Sequence, residues 1–179
     1  MSREIEVKYR VPDVDDLLAV LDRHGVVLSA PVVQDDQAYA PASWRDGDPR
    51  IGVTFVRLRK QDGVCTFTTK TPVDNVLACR EFETVVDDPE QMHQAILAMG
   101  YRETVQVVKK RRTGRIGAWS LCLDDLDGAG AFLEVEAMAD GDTDMVQVQA
   151  ELDQWVQNLG VGVQRTGATY DQVVSEASA

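Results

Sequence analysis

Residues 2–11 alternate sharply between polar and apolar side chains and predict a β-strand. The period then lengthens. Residues 13–24 read as an amphipathic helix, with Asp13 placed to cap it and Gly25 to stop it. Strand patterns return near 32–40, 51–60, 63–71 and 78–86, and the Asp62-Gly63 pair is the dipeptide a tight hairpin favours. Asp87-Asp88-Pro89 opens a second helix that Gly100 ends. Three more strands are predicted at 101–112, 115–124 and 131–139. A helix follows at 143–159, ending near Gly160, and a short one around 168–177. Strands that are mostly hairpin-linked, with a few helices, define an α+β chain that is mainly antiparallel β. Such a sheet favours closure into a barrel or a two-sheet sandwich. Without repeats or long linkers the chain reads as a single domain over 1–179, its strands complete by residue 140 and its C-terminal helices within 143–177.

The polar faces of these strands are unusual. Glu4 and Glu6 share a face with Lys8, while Ile5, Val7 and Tyr9 take the other. Arg57 and Arg59 alternate with Val56 and Leu58, Glu81 and Glu83 flank Phe82, Lys109 and Arg111 share a face, and Glu134 and Glu136 flank Val135. Thr66, Thr68 and Lys70 line one face of their strand, as do Ser120, Cys122 and Asp124 of theirs. One such pair is an ordinary solvated face. Like charges side by side are unfavourable, however, and their recurrence on strand after strand needs a reason. If the sheet closes with these faces inward, a set of cations meets a set of carboxylates that must pair, hydrate or meet a charged ligand.

Composition narrows the field. The chain has 179 residues and 44% hydrophobic residues, enough for one sizeable core. A formal charge of −12 argues against a general nucleic-acid binder, although a small anion can still bind where the basic residues cluster. No apolar run is long enough for a membrane span and the start has no signal-peptide pattern, so a cytoplasmic protein is expected. Cys65, Cys79 and Cys122 lack ligand-like spacing, and His24 and His93 lie apart on predicted helices. Zinc, a disulfide framework and a Ser/His/Asp triad are therefore poorly supported.

Clustered carboxylates without histidine or thiolate suit a hard cation, Mg2+ or Mn2+, and clustered arginines and lysines suit phosphate oxygens. Together they describe phosphoryl or nucleotidyl transfer. Gly128-Ala129-Gly130 precedes a strand rather than a helix, so a P-loop is excluded.

The ordered set Glu4-x-Glu6-x-Lys8, Arg57-x-Arg59, Lys70 and Lys109-x-Arg111, closing with Leu123-Asp124-Asp125-Leu126-Asp127-Gly128-Ala129-Gly130-Ala131-Phe132-Leu133-Glu134-Val135-Glu136, resembles the CYTH superfamily of triphosphate tunnel metalloenzymes. The likeness runs from residue 2 to about 140 and is closest to class IV adenylyl cyclases. It implies an eight-stranded closed antiparallel tunnel barrel with flanking helices. It also implies that Glu4, Glu6, Glu134 and Glu136 are metal ligands, with Asp124 assisting. Lys8, Arg57, Arg59, Lys70, Lys109 and Arg111 would grip the triphosphate, Lys8, Arg57, Lys109 and Arg111 would carry the catalytic charge stabilisation, and Glu81 and Glu83 would be further substrate-side tunnel positions. Three features depart from the family pattern, the least of them Gly128-Ala129-Gly130 in place of a more usual Gly-Leu-Gly. Asp36 and Tyr39 stand where Asp-x-Tyr is usual, and the stretch 40–52, with Trp44, Arg45 and Arg50, reads as a lid or a plain loop. Arg80, Lys110, Arg112 and Arg115 have the opposite parity and read as solvated.

The implied reaction is conversion of ATP to cyclic AMP and pyrophosphate. Hydrolysis of thiamine triphosphate, inorganic triphosphate or a nucleoside triphosphate uses the same tunnel, and a non-catalytic polyphosphate- or nucleotide-binding domain is the alternative from another class. The expected partner is a small triphosphate, not a nucleic acid or a membrane. The C-terminal helices are expected to cover the barrel, with a homodimer contact left open.

Overall fold

The computed structural model describes residues 3–140 and 143–177; position 2, where the first strand was expected to begin, lies outside them. The strands are β1 (Arg3–Val11), β2 (Val32–Pro41), β3 (Phe55–Gln61), β4 (Val64–Pro72), β5 (Ala78–Val86), β6 (Tyr101–Ile116), β7 (Trp119–Leu126), β8 (Gly130–Ala139) and the short β9 (Gln164–Thr166). The helices are α1 (Val14–Arg23), α2 (Pro89–Ala98), α3 (Met145–Asn158) and α4 (Tyr170–Ala177). None is long and apolar enough to cross a membrane.

The sheet runs β5-β4-β3-β2-β6-β7-β8-β1, all neighbours antiparallel, and β1 returns to β5 to close an eight-stranded barrel. That seam is short. Glu4 pairs with Cys79 and Ile5 with Ala78, and the Glu6 amide donates to the Leu77 carbonyl at 3.0 Å. Further along the same edge, β9 pairs its residues with Lys8, Tyr9 and Arg10.

Alternation along the strands separates an apolar outside from a charged inside. Val7, Tyr9, Leu121, Leu123, Leu133 and Val135 pack outward against Leu17 and Leu21 of α1 and Leu152 and Val156 of α3. Ile96 of α2 packs on Tyr39, Val56, Leu58 and Cys65. The main core thus lies between barrel and helices, leaving the lumen to the charges. α4 does something different. Val173 clusters with Val107, Leu126 and Phe132, which share the parity of the inward residues Lys109, Asp124 and Glu134, so α4 seats in one end of the barrel. The expectation that the C-terminal helices cover the barrel holds for α3, whereas α4 enters its mouth.

Local chemistry explains most boundaries. Asp13 and Asp88 cap α1 and α2 through the amides of Asp16 and Gln91, each at 3.0 Å. Asp62 and Gly63 have φ of 50° and 77°, the doubly left-handed turn that matches strand twist. Two expected boundaries move. The strand expected from 51 starts at Phe55, because residues 51–54 turn. The break expected at 113–114 is absent, and β6 runs on to Ile116. Gly114 lies inside that strand because the segment after α1 crosses it: an added Cβ would stand 2.7 Å from Leu28 Cδ2 and 3.0 Å from the Val27 carbonyl. Ser29 continues the crossing, its amide donating to the Thr113 carbonyl at 2.8 Å.

Candidate active site

The barrel encloses a cavity of about 660 Å³, within the range of roughly 300–1,000 Å³ usual for small-molecule sites. Its lining includes every charged residue expected in the tunnel except Asp124: Glu4, Glu6 and Lys8 from β1, Arg57 and Arg59 from β3, Lys70 from β4, Glu81 and Glu83 from β5, Lys109 and Arg111 from β6, and Glu134 and Glu136 from β8.

The basic side is built around buried acids. Asp36 of β2, opposite Arg59 in register, takes Arg59 Nε and Nη2 at 2.7 Å each. Asp124 of β7 likewise faces Arg111, accepting Nε at 2.7 Å and Nη2 at 2.5 Å, and Arg111 Nη2 reaches Glu134 at 2.6 Å. Lys109 Nζ lies between Asp36 and Asp124 at 3.6 and 3.8 Å. Burial, then the Arg111 charge, brings that ammonium down to about 8. Lys8 Nζ sits 3.1 Å from both Glu6 and Glu134; burial alone would depress it, but these two carboxylates hold it above the ordinary lysine range. Although burial, the largest single influence, opposes it, Lys8 and Arg111 keep Glu134 far below the usual carboxylate range, and Arg59 and Lys109 do the same for Asp36.

Arg57 is held more loosely. Its Nη2 donates to Thr68 Oγ1 at 3.2 Å, and Glu83 is 3.6 Å away. Its Nε is buried without a hydrogen-bond partner, and burial followed by the Arg59 charge lowers its pKa. Lys70 pairs with Glu81 at 2.5 Å and approaches Glu4 at 3.8 Å.

The acidic side is crowded. Carboxylate oxygens of Glu4, Glu6 and Glu136 lie within 4.8 Å of one another, and a second group of the same span joins Cys122, Glu134 and Glu136. Burial raises Glu4 and Glu6, and burial plus Glu4, Glu134 and Glu6 pushes Glu136 up to about 8. Carboxylates driven toward protonation by burial and, at Glu136, by one another are short of compensating positive charge. An all-oxygen donor set of this kind fits a hard divalent cation. Asp124, expected to assist a metal, is fully buried, bidentate to Arg111 and outside both groups.

Other lumen residues carried weaker sequence signals. Asp36 stands out in the sequence only by its spacing to Tyr39; the neighbouring Asp35 hides its parity, and the β2–β6 register shifts between Gln37 and Tyr39. Tyr39 points to α2 and hydrogen-bonds His93 Nδ1 at 2.8 Å. Within the 40–52 stretch, Trp44 is buried edge-on against Phe55 at 5.2 Å. Arg50 lies over the Phe55 ring at 4.1 Å and pairs with Asp171 of α4 at 2.9 Å, so the stretch and α4 meet at the tunnel end. Tyr170 also enters the lumen there, and no sequence pattern announced it. Lys110 and Arg115 are exposed on the outside and Arg112 half-buried, in keeping with their parity.

A closed antiparallel barrel whose inward strand faces oppose carboxylates to arginines and lysines is a charge-lined tunnel whose chemistry suits a polyanion and a cation. The chain belongs to the CYTH domain family, whose profile matches residues 2–166. It is 26% identical over 162 residues to an adenylate cyclase, CyaB, of Aeromonas hydrophila, covering 88% of this chain and 81% of that one. Over 135 residues it is 28% identical to a Methanocaldococcus jannaschii protein whose adenylate cyclase name is provisional, covering 74% and 75%. Among solved structures, the PH1819 protein of Pyrococcus horikoshii shares the fold with a TM-score of 0.79 at 20% identity over 97% of this chain and 98% of that one. A Hippeastrum protein, provisionally named an adenylyl cyclase and described as having a dominant triphosphatase activity, superposes with a TM-score of 0.64 at 16% identity over 98% and 96%.

Proposed function

We propose that this protein is a divalent-metal-dependent enzyme of triphosphates, of adenylyl cyclase type, that converts ATP to cyclic AMP and pyrophosphate. The carrying observation is the opposition of the two sides within one lumen: Glu4, Glu6 and Glu136 crowd together facing Arg57, Arg59, Lys109 and Arg111. The adenylate cyclase names of the relatives support the choice of reaction. Mg2+ or Mn2+ is the cation suited to the acidic side, with Glu134 adjoining it. When bound, such an ion supplies charge neutralisation to the phosphates and acidity to a nearby hydroxyl.

The chain's own residues do the rest. Lys8, Arg57, Arg59, Lys70, Lys109 and Arg111 grip the three phosphates, and their buried partners Asp36, Asp124 and Glu134 keep the guanidinium forks aimed before substrate arrives. The ribose 3′-oxygen then attacks the α-phosphorus in line, the bond from that phosphorus to the bridging oxygen breaks, and pyrophosphate leaves against the basic side. Glu81 and Glu83 set the positions of Lys70 and Arg57. A second reading is hydrolysis of the terminal phosphate of thiamine triphosphate, inorganic triphosphate or a nucleotide. It draws support from the triphosphatase activity described for the Hippeastrum protein.

The deciding experiment incubates the protein with ATP, thiamine triphosphate and tripolyphosphate, each with magnesium or manganese, and resolves the products. Cyclic AMP with pyrophosphate is the expected result. Orthophosphate alone establishes the hydrolase, and binding without turnover removes both.

A further inference from the structure

Lys8 and Lys109 stand on β1 and β6, strands separated in the barrel by β7 and β8. Both are only 3% exposed, and each carries a long stem that needs something to hold it. A single side chain from α4 touches both: Lys8 Nζ lies 4.3 Å and Lys109 Nζ 4.7 Å from the centroid of the Tyr170 ring. These distances are inside the reach of a cation–π contact. Neither carboxylate near Lys109 is at hydrogen-bond distance, so the ring is a principal constraint on that ammonium.

We propose that Tyr170 is a positioning residue of the phosphate-binding side, its ring holding the Lys8 and Lys109 ammonium groups toward the lumen. The inference rests on the triphosphate reading above. A carboxylate in the same place would orient a lysine by neutralising it. At Lys109, whose nearest carboxylates stand 3.6 and 3.8 Å away, an aromatic face attracts the ammonium through its quadrupole without neutralising it, whereas Lys8 is also paired with Glu6 and Glu134.

The ring is itself fixed on several sides. It meets Phe132 edge-on at 5.4 Å, Val173 one turn further along α4 seats among Val107, Leu126 and Phe132, and neighbouring Asp171 pairs with Arg50. Just before α4, the Ala168 carbonyl accepts from Lys8 Nζ at 3.5 Å. The Tyr170 hydroxyl is buried facing Asp124 without full hydrogen-bond geometry, and it is the ring that meets both ammonium groups.

The test is calorimetric titration of the full chain with a methylene-bridged, non-hydrolysable analogue of inorganic triphosphate plus magnesium. Its signal does not depend on which reaction the protein catalyses. Tyr170→Leu is expected to raise Kd about tenfold, whereas Tyr170→Phe stays within about twofold of wild type. Asp171→Asn, which loosens α4 while keeping the ring, is expected to change Kd by less than about threefold. An unchanged Kd in Tyr170→Leu overturns the inference, as does an equal loss in Tyr170→Phe or in Asp171→Asn. The last would assign the effect to α4 docking. A wild-type protein that does not bind the analogue overturns the triphosphate reading itself, and that failure is distinct from the others.

Discussion

The two sides of the tunnel are both built of buried charges and behave oppositely. On the basic side, Arg59 and Arg111 are each gripped by a buried carboxylate through two bonds, and Glu134 and Asp36 are held far below their ordinary pKa. On the acidic side, Glu4, Glu6 and Glu136 are all raised, Glu136 to about 8, and the neighbour of Glu136 is the Cys122 thiol at 3.7 Å. On the basic side folding alone pairs Arg59 and Arg111 in full, while Arg57 stays loosely held. On the acidic side Lys8 beside Glu6 and Lys70 near Glu4 do not offset the cost of burial, and all three carboxylates stay raised. Under the proposed function, the difference is how one barrel prepares for two ligands: arginines are pre-aimed at an anion, while the carboxylates are left short of a cation.

The hardest strike at this contrast is Glu4→Gln. Removing one carboxylate from the crowded side takes away a ligand without opening a cavity, so metal-dependent turnover is expected to fall by at least about a hundredfold. Thermal unfolding of the metal-free variant should be no lower than wild type, because a repulsion has been removed. Steady-state kinetics beside a melting curve reads both. Full activity would remove Glu4 as a ligand and leave the crowding without a purpose.

The basic side can be divided by comparing Arg57→Ala with Arg59→Ala. Arg57 has no carboxylate nearer than Glu83 at 3.6 Å, so its loss should lower kcat/KM by about 10- to 100-fold, the worth of a charged hydrogen bond to phosphate, with little change in Tm. Arg59→Ala instead strands Asp36 in the wall and should cost stability by up to about 3–5 kcal/mol in denaturant titration. Equal destabilisation by both variants would show Arg57 to be structural too, and the distinction between aimed and committed arginines would collapse.

Much of this was readable from strand parity. The two-residue period placed Glu4, Glu6 and Lys8 opposite Ile5, Val7 and Tyr9, and Arg57 and Arg59 opposite Val56 and Leu58, because a side chain on a strand has only two directions to choose from. What parity could not supply was pairing across the barrel. Asp36 meets Arg59 and Lys109 only through the β2–β3 and β2–β6 registers, and Asp124 reads as one more acid until β6 is laid beside β7. Tyr170 was harder still. It lies beyond the last barrel strand on an eight-residue helix whose apolar residues looked like ordinary packing, and its relation to Lys8 and Lys109 exists only once α4 enters the barrel end. The missed extension of β6 has the same origin: Gly114 resembles a strand breaker until Leu28 is seen to lie across it.

The smallest expected effect tests the incompleteness of the acidic side most directly, through pH. In the folded, metal-free protein Glu136 titrates near 8, against an ordinary value of 4.5, because burial and the charges of Glu4, Glu134 and Glu6 oppose its ionisation. Between these two values the folded chain keeps a proton that the unfolded chain has released. Stability therefore falls as pH rises from 4.5 towards 8 and levels off beyond. Glu136→Gln is neutral in both states and lacks this slope. Variant and wild type should melt together at acidic pH, and the variant should melt progressively higher in EDTA as the pH rises towards 8. Excess magnesium should reverse that order, because a cation stabilises the ionised carboxylate and has no such hold on the amide. Melting curves across this pH range, with and without metal, give the answer; parallel slopes in EDTA would mean that the carboxylates are not crowded and that the acidic side is as finished as the basic one.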